Sequence, residues 1–228
     1  MSPFITLGIR NAVRYPLRTF LTALAASVGL FSFCMLSTLI DAWYSGVEDS
    51  AKDRIIVRNA VSLTFPLPLA YNQRIMKVPG ISAFGYGSWF GGKYGNEDYM
   101  FQQFAVNPPL LDTLTDFVFD PEEVEAWKRD KRGIIIGKEV AKSLGKKVGD
   151  TLQLKGTLYP GDWEFVITGT LSPKDGKKDA RIAYFHWDYL NEKVQAEGVK
   201  TPDQVGFYTV LLQPGASVEG VSHQIDAL

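Results

Sequence analysis

TFLTALAASVGLFSFCMLSTLI, residues 19–40, holds no charged side chain over twenty-two positions. At about 1.5 Å of rise per residue, a helix of that length is roughly 33 Å long, enough to cross a hydrocarbon core about 30 Å thick. Its flanks differ: Arg10, Arg14 and Arg18 precede the run, and Asp41, Glu48 and Asp49 follow it. Basic residues gather on the cytoplasmic side of membrane segments, so the arginines predict that residues 1–18 are cytoplasmic and the rest lies outside. A cleaved secretory signal competes with this reading, since Ala23-Leu24-Ala25 has the small-x-small form of a peptidase site. A signal's apolar core runs about 7 to 15 residues and ends at the cleavage point. Here the run continues fifteen residues past Ala25. A buried core helix is disfavoured by the length and by the one-sided arginines.

Ahead of the span, residues 3–15 put Phe4, Leu7, Ile9 and Val13 near one face and Arg10 and Arg14 near the other, the pattern of an interfacial amphipathic helix. Pro16 marks a break, because the residue before a proline is pushed out of helix. Within the span, Thr22, Ala25, Ala26, Gly29 and Ser32 form a stripe of small residues at helical spacing, a packing surface that lets helices approach closely in lipid. The helix is expected to run past Ile40, since only Gly46 interrupts residues 41–53.

Residues 41–228 are enough for one substantial domain or for two small subdomains sharing a core. Three of the 24 Lys and Arg fall in the first 18 residues, which hold no acid, so the remainder carries 21 bases against 25 acids, a net charge near −4. No clustered basic surface of the kind that binds nucleic acid is legible. The lone cysteine, Cys34, sits in the span, so the outer domain has no intrachain disulfide and depends on packing, for which 14 Phe, 10 Tyr and 5 Trp supply material.

Beyond the span, short strands and helices alternate. Strands are predicted over 54–58, 81–90, 99–106, 133–136, 150–155, 163–168, 181–185 and 204–212, and helices over 69–77, 121–132, 138–144, 188–196 and 218–228. Gly91 to Gly95 reads as a turn joining two strands, and residues 172–179 read as a loop. In 163–168 the alternation sets Trp163, Phe165 and Ile167 against Glu164, Val166 and Thr168, a half-buried strand. The fold class is α+β: one transmembrane helix, then a mixed α/β extracytoplasmic domain of two subdomains, with an inserted subdomain at about 113–190.

Catalytic chemistry is not legible. A GxxxxGK[ST] phosphate loop is missing, since Gly145-Lys146 and Gly176-Lys177 are each followed by lysine, and Val140 and Leu171 stand where the first glycine belongs. The two histidines, His186 and His223, lack zinc-site spacing. Asp175, Asp179, Glu122 and Glu123 read as solvating loops and a helix end, and Lys174, Lys177 and Lys178 as an exposed loop. The chain is therefore read as no enzyme, with no metal and no cofactor of its own. A membrane-bound hydrolase would need a nucleophile and base that the sequence does not offer.

Residues 133–170, GIIIGKEVAKSLGKKVGDTLQLKGTLYPGDWEFVITGT, carry an architectural signal: a strand, a short helix, a turn at Val148, Gly149 and Asp150, then two strands. This segment resembles the signature of a hydrophobic strand, G or S, E or K, then x-x-A-x-x-L-G-x-x-V-G-D-x-L, found in the extracytoplasmic domain of FtsX-like ABC transporter permeases of the MacB and LolC type. Arg10-Asn11 and Tyr15-Pro16-Leu17-Arg18-Thr19 resemble that family's N-x-x-R-x-P-x-R-T lead into its first transmembrane helix. Val78-Pro79-Gly80-Ile81 resembles its L-P-G-V turn, and Asn107-Pro108 sits at a similar strand-to-helix step.

The resemblance implies a four-span permease in the bacterial inner membrane, with a periplasmic core domain between its first two spans. It implies a dimer with a second permease copy or paralogue. It also implies an ABC ATPase subunit that binds the ATP, contact with membrane lipid, and a periplasmic adaptor or lipoprotein as a further partner; no nucleic acid is expected. ATP hydrolysis would then drive movements of the outer domain for export, lipoprotein release or cell-envelope work. The sequence departs from the pattern in having one span, so an amino-terminal part of such a subunit is expected, and residues 117–131 and 174–179 read as variable insertions. The alternative is a single-pass anchored binding or sensor module that transports nothing.

Overall fold

The computed structural model describes residues 13–48, 53–62, 65–95, 101–176, 180–198 and 201–228, the backbone alone for 41–48. Two compact units emerge, residues 1–52 and Asp53–Leu228. The first is dominated by one helix, α1 (Pro16–Glu48), 33 residues long. Tyr15 forms a bend ahead of Pro16, and α1 continues past Ile40 to Glu48. Arg10, the interfacial segment to residue 12 and residues 49–52 lie outside the described residues.

The second unit is built on a ten-stranded mixed sheet. Its elements are β1 (Arg54–Val57), β2 (Leu67–Pro68), a 3₁₀ turn (Leu69–Tyr71), α2 (Asn72–Ile75), β3 (Ile81–Trp89), β4 (Gly92–Lys93), β5 (Gln102–Val106) and a 3₁₀ segment (Pro108–Thr113). Then come β6 (Phe117–Phe119), α3 (Pro121–Arg129), β7 (Gly133–Gly137), α4 (Lys138–Leu144), β8 (Thr151–Gly156) and β9 (Gly161–Pro173). The unit ends with β10 (Ile182–His186), α5 (Trp187–Glu197), β11 (Gln204–Val205), β12 (Phe207–Leu212) and α6 (Val218–Asp226).

Strand order is β1-β12-β3-β5-β10-β7-β9-β8-β4, with β6 on β9 and β2 paired separately with β11. Only Phe90 and Gly91 separate β3 from β4, yet β4 bonds to β8 at the far end of the path. The sheet must therefore curl back on itself. Gln103, 1% exposed, holds the seam: its Oε1 accepts from Gly92 N at 2.7 Å, its Nε2 donates to Phe101 O at 2.6 Å, and its backbone carbonyl accepts from Phe90 N at 2.9 Å. Every polar atom of this buried amide near the seam is thus used, as burial demands.

Aromatic side chains fill the curl. Phe90 is fully buried and packs edge to face on Trp163 (5.0 Å between ring centroids) and Phe185 (5.2 Å), and stacks with Tyr159 at 6.1 Å. On β9, Trp163, Phe165 and Ile167 point inward while Glu164 is exposed, as the alternation requires. β7 behaves differently, because Ile134 and Ile136 join this core while Ile135 joins a second cluster with Trp127, Leu171 and Tyr184. Both faces of β7 are buried, which explains its unbroken apolar run. Residues 113–190 contribute β6 to β10 to the same sheet that carries β3 and β5.

Several elements depart from the sequence reading. The helix expected over 69–77 is a 3₁₀ turn followed by the single turn α2, closed before Pro79-Gly80. The glycine-rich turn contains β4, and the strand expected over 204–212 breaks at Gly206, whose N–H bonds Gly87 O. The loop expected from Ser172 begins two residues late, because Ser172 and Pro173 extend β9 to pair with β6.

Candidate functional site

Helix α1 owes its apolar surface to composition alone. From Pro16 to Ile40 its mean hydropathy is 2.0 and none of its side chains is buried, with Leu17, Phe31 and Phe33 each at least 70% exposed. Such a surface is costly in water. It is one helix long and apolar enough to cross a membrane. Thr22 satisfies its hydroxyl within the helix by donating to Arg18 O at 2.9 Å, as hydroxyls in apolar helices must. Ala25, Ala26, Gly29 and Ser32 are exposed, and a methyl group built on Gly29 meets nothing within 4 Å. Arg14 and Arg18 stand at the amino end, where the helix dipole favours anions, so helix stability does not account for them. The guanidinium of Arg14 lies 5.7 Å from the Tyr15 ring.

In the outer unit, the turn after α4 is set by backbone geometry. Gly149 adopts φ +95, which other residues rarely reach, and its N–H donates to Ile167 O at 2.8 Å. Asp150 N donates to Lys147 O at 3.1 Å, and the Asp150 carboxylate accepts from Lys147 N at 2.9 Å. Val148 is 45% exposed at its tip. The turn thereby aims β8 along β9, whose Ile167 N also donates to Asp150 O.

Several acids and one histidine of the described residues have structural work. Asp120 caps α3 by accepting from Glu122 N, and Glu123 accepts from Thr170 N at 2.7 Å, tying α3 to β9 rather than facing solvent. Arg54 pairs with Asp116 at 2.9 Å and donates to Thr113 O, fastening β1 to the segment before β6. His186 is 4% exposed, stacks on Trp127 with ring centroids 3.9 Å apart, and places Nε2 2.7 Å from Trp127 O. Burial lowers its pKa below the ordinary 6.5, against the opposing pull of that carbonyl, Asp188 and Asp130. His223 lies on α6. Among the described residues, no group of three or more His, Cys, Asp or Glu is placed to hold a metal.

Two concavities are formed by described residues. A cavity of about 190 Å³ lies between Ser88, Trp89, Leu158 and α5, and an open groove of about 990 Å³ runs past Tyr94, Lys146, Thr151, Gln153, Lys155, Asp162 and Glu164.

The sequence model of the MacB-like periplasmic core domain matches residues 19–228. The chain belongs to this family. Among solved structures, the periplasmic region of MacB from Actinobacillus actinomycetemcomitans is similar at a TM-score of 0.54 with 9% identity, over 76% of this chain and 81% of that one. The extracellular domain of the noncanonic ABC-type transporter YknZ from Gram-positive bacteria gives 0.47 and 15% identity, over 75% and 86%. No curated protein matches in sequence. The MacB-like domain is a periplasmic part of ABC-type permeases, a transporter class that works with ATPase partners. Its fold here, one long apolar helix followed by a mixed α/β unit, agrees with the α+β class read from the sequence.

The resemblance read from residues 133–170 thus falls within the family that the match identifies, while the arginine-rich lead precedes the matched residues. The structure sets Val148, Gly149 and Asp150 in one turn, and puts Thr22, Ala25, Ala26, Gly29 and Ser32 on a helix separate in kind from that turn. Sequence reading missed the Gln103 seam, the Arg54–Asp116 pair and the open groove, each formed by residues far apart in the chain.

Proposed function

We propose that this chain is the amino-terminal part of a permease subunit of the MacB, LolC and FtsX type, held in a bacterial inner membrane with residues 1–18 in the cytoplasm. A separate or fused ATPase hydrolyses ATP on that side, and the work reaches the outer domain through α1 as movement rather than as passage of substrate through a channel. A second permease copy or paralogue completes the membrane part, its helices approaching along Thr22, Ala25, Ala26, Gly29 and Ser32. The chain itself contributes no catalytic group and no cofactor. The carrying observation is that one family match runs from residue 19, inside the apolar helix, through residue 228, so helix and outer domain belong to one inherited unit.

Purification of the tagged protein from its native membranes tests the reading. An ATPase subunit should co-purify, and its hydrolysis should depend on the permease. Reproducible absence of any ATPase under mild detergent would contradict transport and favour an anchored sensor module.

A further inference from the structure

The smaller cavity, about 190 Å³, has aromatic and aliphatic walls and borders one polar atom left without a partner. Trp187, Leu190 and Val194 fall at positions i, i+3 and i+7 of α5, on one face of the helix, and all three are buried along the cavity. Trp89 and Leu158 line it too, yet are 53% and 41% exposed, so the space opens to solvent beside them. Part of the wall is fixed by polar groups that are already used. Ser88 accepts from Gly206 N at 3.1 Å, and Asn191 exchanges two hydrogen bonds of 2.9 Å with Asp203. Asp203, between the lining residues Thr201 and Gln204, is held at φ +56, a conformation few residues other than glycine adopt. Backbone held there persists only where its surroundings enforce it, and it gathers at ligand sites. Trp187 is the exception to this economy: its indole N–H is buried with no hydrogen-bond partner, which costs about as much as a lost hydrogen bond.

We propose that this cavity binds a small neutral aromatic compound whose carbonyl oxygen accepts from Nε1 of Trp187. Size sets the limit. An apolar cavity of about 150 Å³ holds benzene, and drug-sized ligands fill about 300 Å³ or more, so the space here admits one ring with a short substituent. Charge sets the class. No lining side chain is charged, Thr201 and Gln204 being neutral, so an ionised guest would lose its hydration without a counter-charge. The rings of Trp89, Tyr159 and Trp187 suit an aromatic guest, and indole is a donor only, so the guest must bring the acceptor. The proposal does not depend on the transport reading.

Indole N–H resonances of the ¹⁵N-labelled full chain in detergent test it, one for each of five tryptophans. Trp187→Phe deletes one resonance and so assigns it. Acetophenone should move that resonance downfield to saturation and leave that of Trp127, buried in the other cluster, in place. α-Methylstyrene, of the same shape without an acceptor, should bind about fivefold more weakly and cause no downfield move. Benzoate should bind at least about tenfold more weakly than acetophenone. Val194→Phe, which fills part of the cavity, should lose at least about tenfold in affinity. If that variant does not fold, the two neutral ligands compared on the unaltered chain decide alone. The proposal is overturned by no saturable shift at Trp187, by an equal shift at Trp127, which marks ligand dissolved in the micelle, by equal affinities of the two neutral ligands, or by a Val194→Phe chain that melts normally and binds as before. Tyr86 stands at a right angle to Trp187 with ring centroids 5.3 Å apart, and an indole proton resting on the Tyr86 ring, resonating upfield and indifferent to acetophenone, would overturn it as well.

Discussion

A methyl group added at Gly29 would touch nothing within 4 Å, whereas one added at Gly137 would lie 1.6 Å from the carbonyl oxygen of Ala180. The same residue type marks two kinds of surface. In α1 the apolar side chains face outward and call for an apolar surrounding, lipid or another helix, that the described residues do not provide. In residues 53–228 they face inward onto β7, β9 and β10, and water is the solvent left outside. Burial can be read from one chain only where the chain is its own packing partner, and α1 is where that condition fails.

The comparison is broken or sharpened by substitutions that act on one unit only. Gly137→Ala should cost more than about 4 kcal/mol, because the clash is with backbone and cannot be relieved by a rotamer. Thermal unfolding of the outer unit would measure it, and a well-folded variant would show that β7 and the Ala180 segment can separate. Val28→Arg, near the middle of α1, should disfavour insertion by about 2.5 to 3.5 kcal/mol and leave the outer unit's melting unchanged. Membrane fractionation reads the first effect, and a fall in the outer unit's melting temperature would show that the substitution acts beyond α1.

A smaller effect follows from His186. Its folded pKa is depressed by burial below 6.5, so the unfolded chain takes up a proton that the folded chain resists. Stability from this group is full above pH 6.5 and is lost as pH falls from 6.5 toward the folded value. Denaturant midpoints at pH 7.5, 6.5 and 5.5 should show that decline, and His186→Gln should flatten it. Least of all, Gly29→Ala should leave the melting of the outer unit within about 0.5 kcal/mol, since no neighbour in the chain responds. Loss of a co-purifying membrane subunit in the same variant would locate the missing solvent of the helix as protein.

What the sequence made legible was local. Residues 138–144 coincide with α4, because the lysine-rich and apolar positions alternate at helical spacing and Gly145 ends them. Trp163, Phe165 and Ile167 lie inward because strand geometry alternates regardless of tertiary context. What was hidden was long-range. β6 is three residues whose strand character comes from the register of Val118 with Ser172, and β4 is two residues defined by β8. The curl of the sheet needs the Phe90–Gly91 link and Gln103 together, neither of which has a periodic signature. The groove is hidden for the same reason: its lining joins Tyr94 and Gly95, next to β4, to Lys155 of β8 and Asp162 of β9, which come together only when β4 closes on β8. Sequence reading looked for basic clustering along the chain and found instead Lys174, Lys177 and Lys178, the last two outside the described residues.

The account rests on α1 crossing a bilayer with its arginine end inside. Single cysteines introduced at Ser2 and at Lys138, in a chain carrying Cys34→Ala, can be probed in intact cells with a membrane-impermeant maleimide. The account predicts that Lys138→Cys is labelled at once and Ser2→Cys only after the membrane is opened. Labelling of Ser2→Cys in intact cells, or recovery of mature protein lacking residues 1–25, would contradict it.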